Sequence, residues 1–268
     1  MSKEYEKIIC QRKGPCDEVL WITLNDEKMM NALSDTMQQE LLHALTDIAH
    51  DNDIRCVVLT GAGDKAFSSG GDIKLFQSLD IVSGYDFAYK RGNSIQHLMN
   101  YMEKPIVAAV NGYCFAGGME LALCCDFIYT SQNAKFGLLE INLGLLAGWG
   151  GTVRLPRKIP VNRAKEMIYR GEVISAEEAC HWGLVNRVLP SNETLYQEVE
   201  KIVGEMIAKP PLALRAAKNV INNSITCDSM EAALAIERGS VMWLNASEDC
   251  KEGVAAFVEK RKPVFKGK

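Results

Sequence analysis

The sequence predicts an α/β fold, and three observations carry that reading. Two continuous apolar runs, residues 56–60 (C-V-V-L-T) and Ile106–Val110 (I-V-A-A-V), lack polar alternation, as strands buried on both faces of a parallel sheet do. Each run stops at a glycine-bearing turn, Gly61-Ala62-Gly63 and Asn111-Gly112. Segments of helical period lie between such runs along the chain.

Residues 5–13 and 18–24 read as strands, and Gly14-Pro15 between them reads as a hairpin turn. A polar loop spans 25–31. Ser34 then caps a helix with Met37, Leu41, Leu42, Leu45 and Ile48 on one face. Residues 66–74, A-F-S-S-G-G-D-I-K, give a short strand, two glycines and a helix start. A helix covers 86–102, and Lys104-Pro105 leads into the strand Ile106–Val110. Gly117-Gly118 opens a helix over 119–124, and a strand follows at 127–130. Residues 135–151 are glycine-rich, hold Glu140 among apolar neighbours, and promise function more than regular structure. Ser175 caps a short helix over 176–182, and 185–189 reads as a small strand. From 193 the pattern is helical to the end, over 193–209, Pro211–Ser224, Met230–Leu244 and 247–260. The expected division is a core over 1–195 and a helical region over 196–268.

The chain has 268 residues and a net charge of −4, so it can bury a large core and has no general affinity for polyanions. No basic stripe with interleaved aromatics is present, and no nucleic-acid partner is expected. An anionic ligand would need a local basic cluster. Nine cysteines, an odd number without C-x-x-C, and four scattered histidines form no metal-binding spacing. Reduced thiols in a cytoplasm are the simplest account. The first residues, M-S-K-E-Y-E-K, are charged and are read as neither signal nor transit peptide, and no apolar run reaches membrane-spanning length.

Chemistry concentrates in the two strand–Gly-Gly–helix junctions. A glycine pair at a helix start leaves backbone N–H groups open to close approach, and the helix dipole adds positive potential there. Glu120, one turn into the second helix, sets a carboxylate beside such a site, an arrangement suited to enolate chemistry. Each junction alone describes a plain tight turn equally well.

Five stretches in order resemble the crotonase family, the enoyl-CoA hydratase/isomerase superfamily. They are A-F-S-S-G-G-D-I-K (66–74), K-P-I-V-A-A-V-N-G-Y-C-F-A-G-G-M-E-L-A-L-C-C-D (104–126), F-G-L-L-E (136–140), G-W-G-G-T (148–152) and F-V-E-K-R-K (257–262). The resemblance runs from about residue 5 to the terminus. It implies a spiral of repeated ββα units, then a helical trimerisation region, commonly paired into hexamers. It also implies an oxyanion hole from the N–H groups of Gly71 and Gly117. True hydratases of the family carry two glutamates, matched here by Glu120 and Glu140, which syn addition of water requires as acid and base. Isomerase-type members often keep one of the pair, so the resemblance favours hydration over isomerisation or another enolate reaction such as decarboxylation. A non-catalytic acyl-CoA- or RNA-binding role fits less well. The implied substrate is an enoyl-CoA thioester of fatty acid metabolism, with coenzyme A as part of the substrate and no separate cofactor.

The same resemblance places Lys28 and the backbone of Met30 and Ala32 near the nucleotide. Phe257 and Lys260 reach in from the last helix, in one arrangement from a neighbouring subunit. Ile73, Lys74 and Gly148 fall in the matching substrate-binding stretches, and so does Asp72, which is better suited to capping than to proton transfer. The chain departs from the common hydratase pattern at Gly71 (alanine in many members), at Leu139 (often proline) and at 147–149, where Trp149 replaces a small residue. A backbone donor survives the first change. Trp149 reads as either a pocket wall or a core residue.

Overall fold

The computed structural model describes residues 4–76 and 80–268 of the chain; the side chains of Lys74, Phe76, Ile81, Phe87, Ala88 and Tyr89 lie outside the described residues. Its strands are β1 (Ile8–Lys13), β2 (Val19–Leu24), β3 (Cys56–Gly61), β4 (Ala66–Ser68), β5 (Ile106–Val110), β6 (Tyr113–Phe115), β7 (Phe127–Ser131), β8 (Lys135–Gly137), β9 (Ile174–Ser175) and β10 (Arg187–Leu189). The helices before the site are α1 (Asp35–His50), α2 (Ile73–Phe76), α3 (Ile81–Tyr85), α4 (Gly92–Tyr101) and α5 (Gly117–Leu123). Those after it are α6 (Gly151–Lys158), α7 (Val161–Arg170), α8 (Ala176–His181), α9 (Asn192–Ile207), α10 (Pro211–Ser224), α11 (Met230–Leu244) and α12 (Glu248–Val258).

Two sheets organise the core. The larger has the order β1-β2-β3-β5-β7-β10, and the smaller β4-β6-β8-β9. β1 and β2 form the expected antiparallel hairpin; from β2 to β10 the large sheet is parallel. The pairs β3–β4, β5–β6 and β7–β8 each send one strand to either sheet before a helix follows, which is a ββα spiral.

The unalternating runs behave as their composition requires. Val57, Leu59, Ala108 and Val110 face one apolar cluster, shared with Met37, Leu41, Leu45 and Ile48 of α1. Cys56, Val58, Val107 and Ala109 face a second cluster, closed by Leu195, Val199, Val203 and Ile207 of α9. Ser34 caps α1 through the Met37 N–H, and Ser175 caps α8 in a reciprocal box with Glu178.

The structure corrects one reading and adds elements in two stretches left unassigned. Residues 113–115 form β6, too short for a visible period. The helix expected over 86–102 is divided: residues 86–91 wind with π spacing, and α4 begins at Gly92. Residues 151–170, unassigned in the sequence, hold α6 and α7, with Pro156 inside α6. No helix among the described residues is long and apolar enough to cross a membrane.

Candidate active site

The first junction runs β4–Ser69–Gly70–Gly71–Asp72–α2, the second β6–Ala116–α5. Gly70 has φ +96° and Ala116 φ +48°, a strained value for a residue with a side chain. These kinks bring the two turns together. A Cβ on Gly70 would stand 2.7 Å from the Ala116 Cβ and 3.0 Å from the Gly117 nitrogen. A Cβ on Gly117 would lie 3.6 Å from the Gly71 nitrogen. Gly117 is the first residue of α5, so its N–H has no intrahelical partner, and neither it nor the Gly71 N–H bonds an acceptor among the described residues. The two turns therefore lie side by side, and both glycines border one cavity.

Residues 29–33 run beside the first junction. Ser69 N–H donates to the Met30 carbonyl at 2.9 Å, and Leu33 N–H to the Gly70 carbonyl at 2.8 Å. Asn31, fully buried with φ +54°, bonds the Ala62 and Ala66 carbonyls and supports that loop from beneath. Asn111 does the same below the second junction, bonding the Gly61 and Gly63 carbonyls.

A cavity of about 580 Å³ opens over both turns. Its wall includes Gly71, Ile73, Gly117, Glu120, Glu140, Gly148 and Trp149, all expected from the sequence. Lys28, Met30 and Ala32 do not line it; they lie on the segment beside Ser69 and Gly70, with Lys28 and Met30 exposed and Ala32 buried. Asp72 sits between Gly71 and α2, its carbonyl accepting from the Leu75 N–H. The Lys74 side chain is outside the described residues. Phe257 and Lys260, on and just after α12, do not border the cavity of their own chain. The sequence reading missed Leu33, Gln38, Ala116, Leu143, Leu145 and Leu146 on the wall. Positive φ at a non-glycine residue leaves no local signature, and a leucine lining a cavity resembles one in a core.

The glutamates occupy different settings. Glu120 is 3% exposed and reaches across to the start of α6. Its Oε1 accepts from the N–H groups of Trp149 and Gly151, both at 2.7 Å. Burial raises its pKa most, the Gly151 N–H pulls it down, Glu140 pushes it up, and Trp149 N–H and Arg154 lower it; the outcome is about 7. Glycine at 151 eases this approach, since a Cβ there would meet the Glu120 Cγ, the Ala147 Cβ and the Leu138 Cδ2 at a tight 3.0 Å. Glu140 opens a 3-10 turn and is partly buried; its Oε2 is shielded and has no partner. Burial raises its pKa, against its own and the Leu139 N–H groups. Trp149 is 7% exposed and both core and wall: its indole lies where a Cβ on Gly92 would come within 2.3 Å. Among the described residues no group of three or more His, Cys, Asp or Glu is arranged to hold a metal.

Two neighbouring backbone donors and two carboxylates with raised pKa values on one cavity are groups that can polarise a carbonyl and move protons beside it. The comparisons agree with this chemistry. A protein 40% identical over 261 residues is the crotonyl-CoA hydratase of Syntrophomonas wolfei, with 97% of this chain and 98% of the relative covered. The short-chain-enoyl-CoA hydratase of Clostridium acetobutylicum is 36% identical, with 97% of each chain covered. The crystal structure of an enoyl-CoA hydratase from Bacillus anthracis superposes with a TM-score of 0.94 at 37% identity, covering 98% of this chain and 100% of that one. The enoyl-CoA hydratase/isomerase family model matches residues 16–268, and the chain belongs to that family.

Proposed function

We propose that this protein is an enoyl-CoA hydratase, a hydro-lyase that adds water syn across the 2,3-double bond of an enoyl-CoA thioester. The observation that carries the reading is the pair Glu120 and Glu140 on the wall that also holds the Gly71 and Gly117 donors. The thioester oxygen sits between the two N–H groups, which stabilise the negative charge that develops there as oxygen adds to C3. Removing one such donor typically costs about 3–4 kcal/mol of transition-state stabilisation. The glutamates hold the water between them. One accepts its proton as the C–O bond forms, and a proton is delivered to C2. Coenzyme A enters as part of the substrate, and no further cofactor takes part.

The test is incubation with crotonyl-CoA in oxygen-labelled water. Loss of the conjugated absorbance with label in a 3-hydroxyacyl product is expected. Double-bond migration or decarboxylation without label would overturn the assignment.

The assembly proposed is a homotrimer, or a hexamer of two trimers, in a cytoplasm where fatty acyl thioesters are processed. All nine cysteines are free, in keeping with a reducing compartment. Ile225, Met230, Met242, Phe257 and Val258 on the C-terminal helices are 71–85% exposed, an apolar surface that neighbours would cover. In that assembly Phe257 and Lys260 reach a neighbour's nucleotide site, while Lys28 and the Met30 and Ala32 backbone serve their own. A stable monomer in sedimentation would overturn the assembly.

A further inference from the structure

Arg154 carries a charge that the hydration chemistry does not touch. It does not border the cavity of the two glutamates; it borders a separate one, of about 470 Å³, together with Asn100 and Cys124. Arg154 is the fourth residue of α6 and half-buried. Its side chain folds back over the start of that helix: a Cβ on Gly150, the residue before α6, would stand 3.1 Å from Arg154 Nε and 3.6 Å from its Cδ. The next residue, Gly151, donates its N–H to Glu120 Oε1 at 2.7 Å. The Arg154 side chain thus lies against the neighbour of the residue that anchors the carboxylate.

That placement is unfavourable by itself. A helix N-terminus carries partial positive charge and repels a cation folded onto it. Arg154 Nε is shielded from solvent and has no hydrogen-bond partner. Among the described residues the partners of its other nitrogens are neutral amides: Nη1 donates to Asn100 Oδ1 at 3.0 Å, and Nη2 to Gln96 Oε1 at 3.4 Å. A half-buried cation held by amides on the positive end of a helix needs an anion nearby to balance it. Glu120, seated on the same helix end, is that anion, and the Arg154 charge favours its carboxylate form against burial and Glu140.

The support comes from α4. Residues 92, 96 and 100 recur at four-residue spacing on one face of that helix. Gly92 takes the Trp149 indole, while Gln96 and Asn100 take the guanidinium. One helix face therefore holds both the charge and the residue whose N–H reaches Glu120. The other groups near α5 leave the balancing role to Arg154. Burial keeps the Cys124 thiol neutral, pushed up to about 11. β4 has no titratable side chain; β6 has exposed Tyr113 and Cys114, whose thiol burial also keeps neutral. Further along α6, Arg157 bonds the Val153 carbonyl and Lys158 the Cys125 carbonyl.

We propose that Arg154 is a positioning residue for the reaction: from outside the cavity, fixed on α4 by Gln96 and Asn100, it favours the ionised form of Glu120 on the α6 N-terminus and so sets the pH range of turnover. The proposal rests on the hydratase reading above.

The experiment records kcat for crotonyl-CoA against pH in the wild-type protein, Arg154→Met, Arg154→Lys and Asn100→Asp. Loss of the cation in Arg154→Met is expected to move the apparent pKa values of the profile, which belong to the coupled carboxylates, upward by at least about 0.5. Asn100→Asp sets a carboxylate on the guanidinium with little change of shape and is expected to move them the same way. Arg154→Lys keeps the charge and is expected to stay near the wild-type profile. A purely structural role would lower turnover alike at every pH. An unmoved profile in Arg154→Met overturns the proposal, and so does a Lys variant displaced as far as the Met variant. Should Arg154→Met not fold, Asn100→Asp decides by the same criterion. Nuclear magnetic resonance of carboxyl-labelled glutamate, with the Glu120 signal assigned through Glu120→Gln, reads the titration without substrate. A titration that shifts in a protein unable to hydrate crotonyl-CoA sinks the hydratase reading alone; one that does not shift overturns the role of Arg154.

Discussion

Glu120 and Glu140 are one residue type on one cavity, yet the fold treats them differently. Glu120 is anchored: Oε1 takes two backbone N–H groups at the start of α6, which has no side-chain cap of its own. Its charge is suspended between desolvation, which disfavours it, and a helix N-terminus, which favours it. Glu140 keeps a shielded oxygen with nothing to bind. Residue identity supplies two carboxylates; their surroundings hold one on a helix N-terminus near neutrality and leave the other with an unpartnered oxygen.

The largest effect expected from breaking this pair is on rate. Glu120→Gln and Glu140→Gln should each lower kcat for hydration about 10²- to 10⁴-fold, with circular dichroism unchanged. Wild-type rates in both variants would end the two-carboxylate scheme.

The next effect is on stability. The folded pKa of Glu120, about 7, lies above its ordinary value of 4.5, so between these values the native state binds more protons than the unfolded chain. Stability is therefore lost as pH rises through that window, and the full cost is present above it. Glu120→Gln removes the cost, and its uncharged amide keeps an acceptor for the two N–H groups. The variant should gain up to about 3 kcal/mol over wild type above the window, with the gain vanishing towards pH 4.5. Urea unfolding across that range measures it, and a gain independent of pH would contradict the burial argument.

The smallest effect sharpens the contrast. Gly151→Ala sets a methyl 3.0 Å from the Glu120 Cγ and leaves Glu140 untouched. It should destabilise the protein by about 1–3 kcal/mol in thermal unfolding. It should also move the pH dependence of kcat, whose apparent pKa values belong to the coupled pair. An unmoved profile would show that the anchor does not set the titration.

Much of this was legible in the residues. The buried runs, the caps at Ser34 and Ser175 and the presence of two glycine junctions were found from patterns that act over a few positions, while the pairing of Glu120 with Glu140 and of Gly71 with Gly117 came from the resemblance to the family. The missed elements share a cause. β6 has three residues, and its place comes from pairing with β4 and β8. α6 carries Pro156 and begins where Glu120, from another helix, receives its N–H groups. The π-wound turn before Gly92 adjoins the close packing of Trp149 on Gly92, a contact between residues far apart in the chain.

The sequence by itself determined the inventory: strands from unbroken apolar runs, turns from glycine, helix starts from serine caps, and acid groups at 120 and 140. Those signals are local because periodicity, φ freedom and capping operate within one or two turns of chain. Only the tertiary structure decided that Gly70 meets Ala116, so that Gly71 and Gly117 border one cavity, and that Glu120 caps α6. Each joins side chains or backbone from separate elements, and packing, not local pattern, selects such contacts.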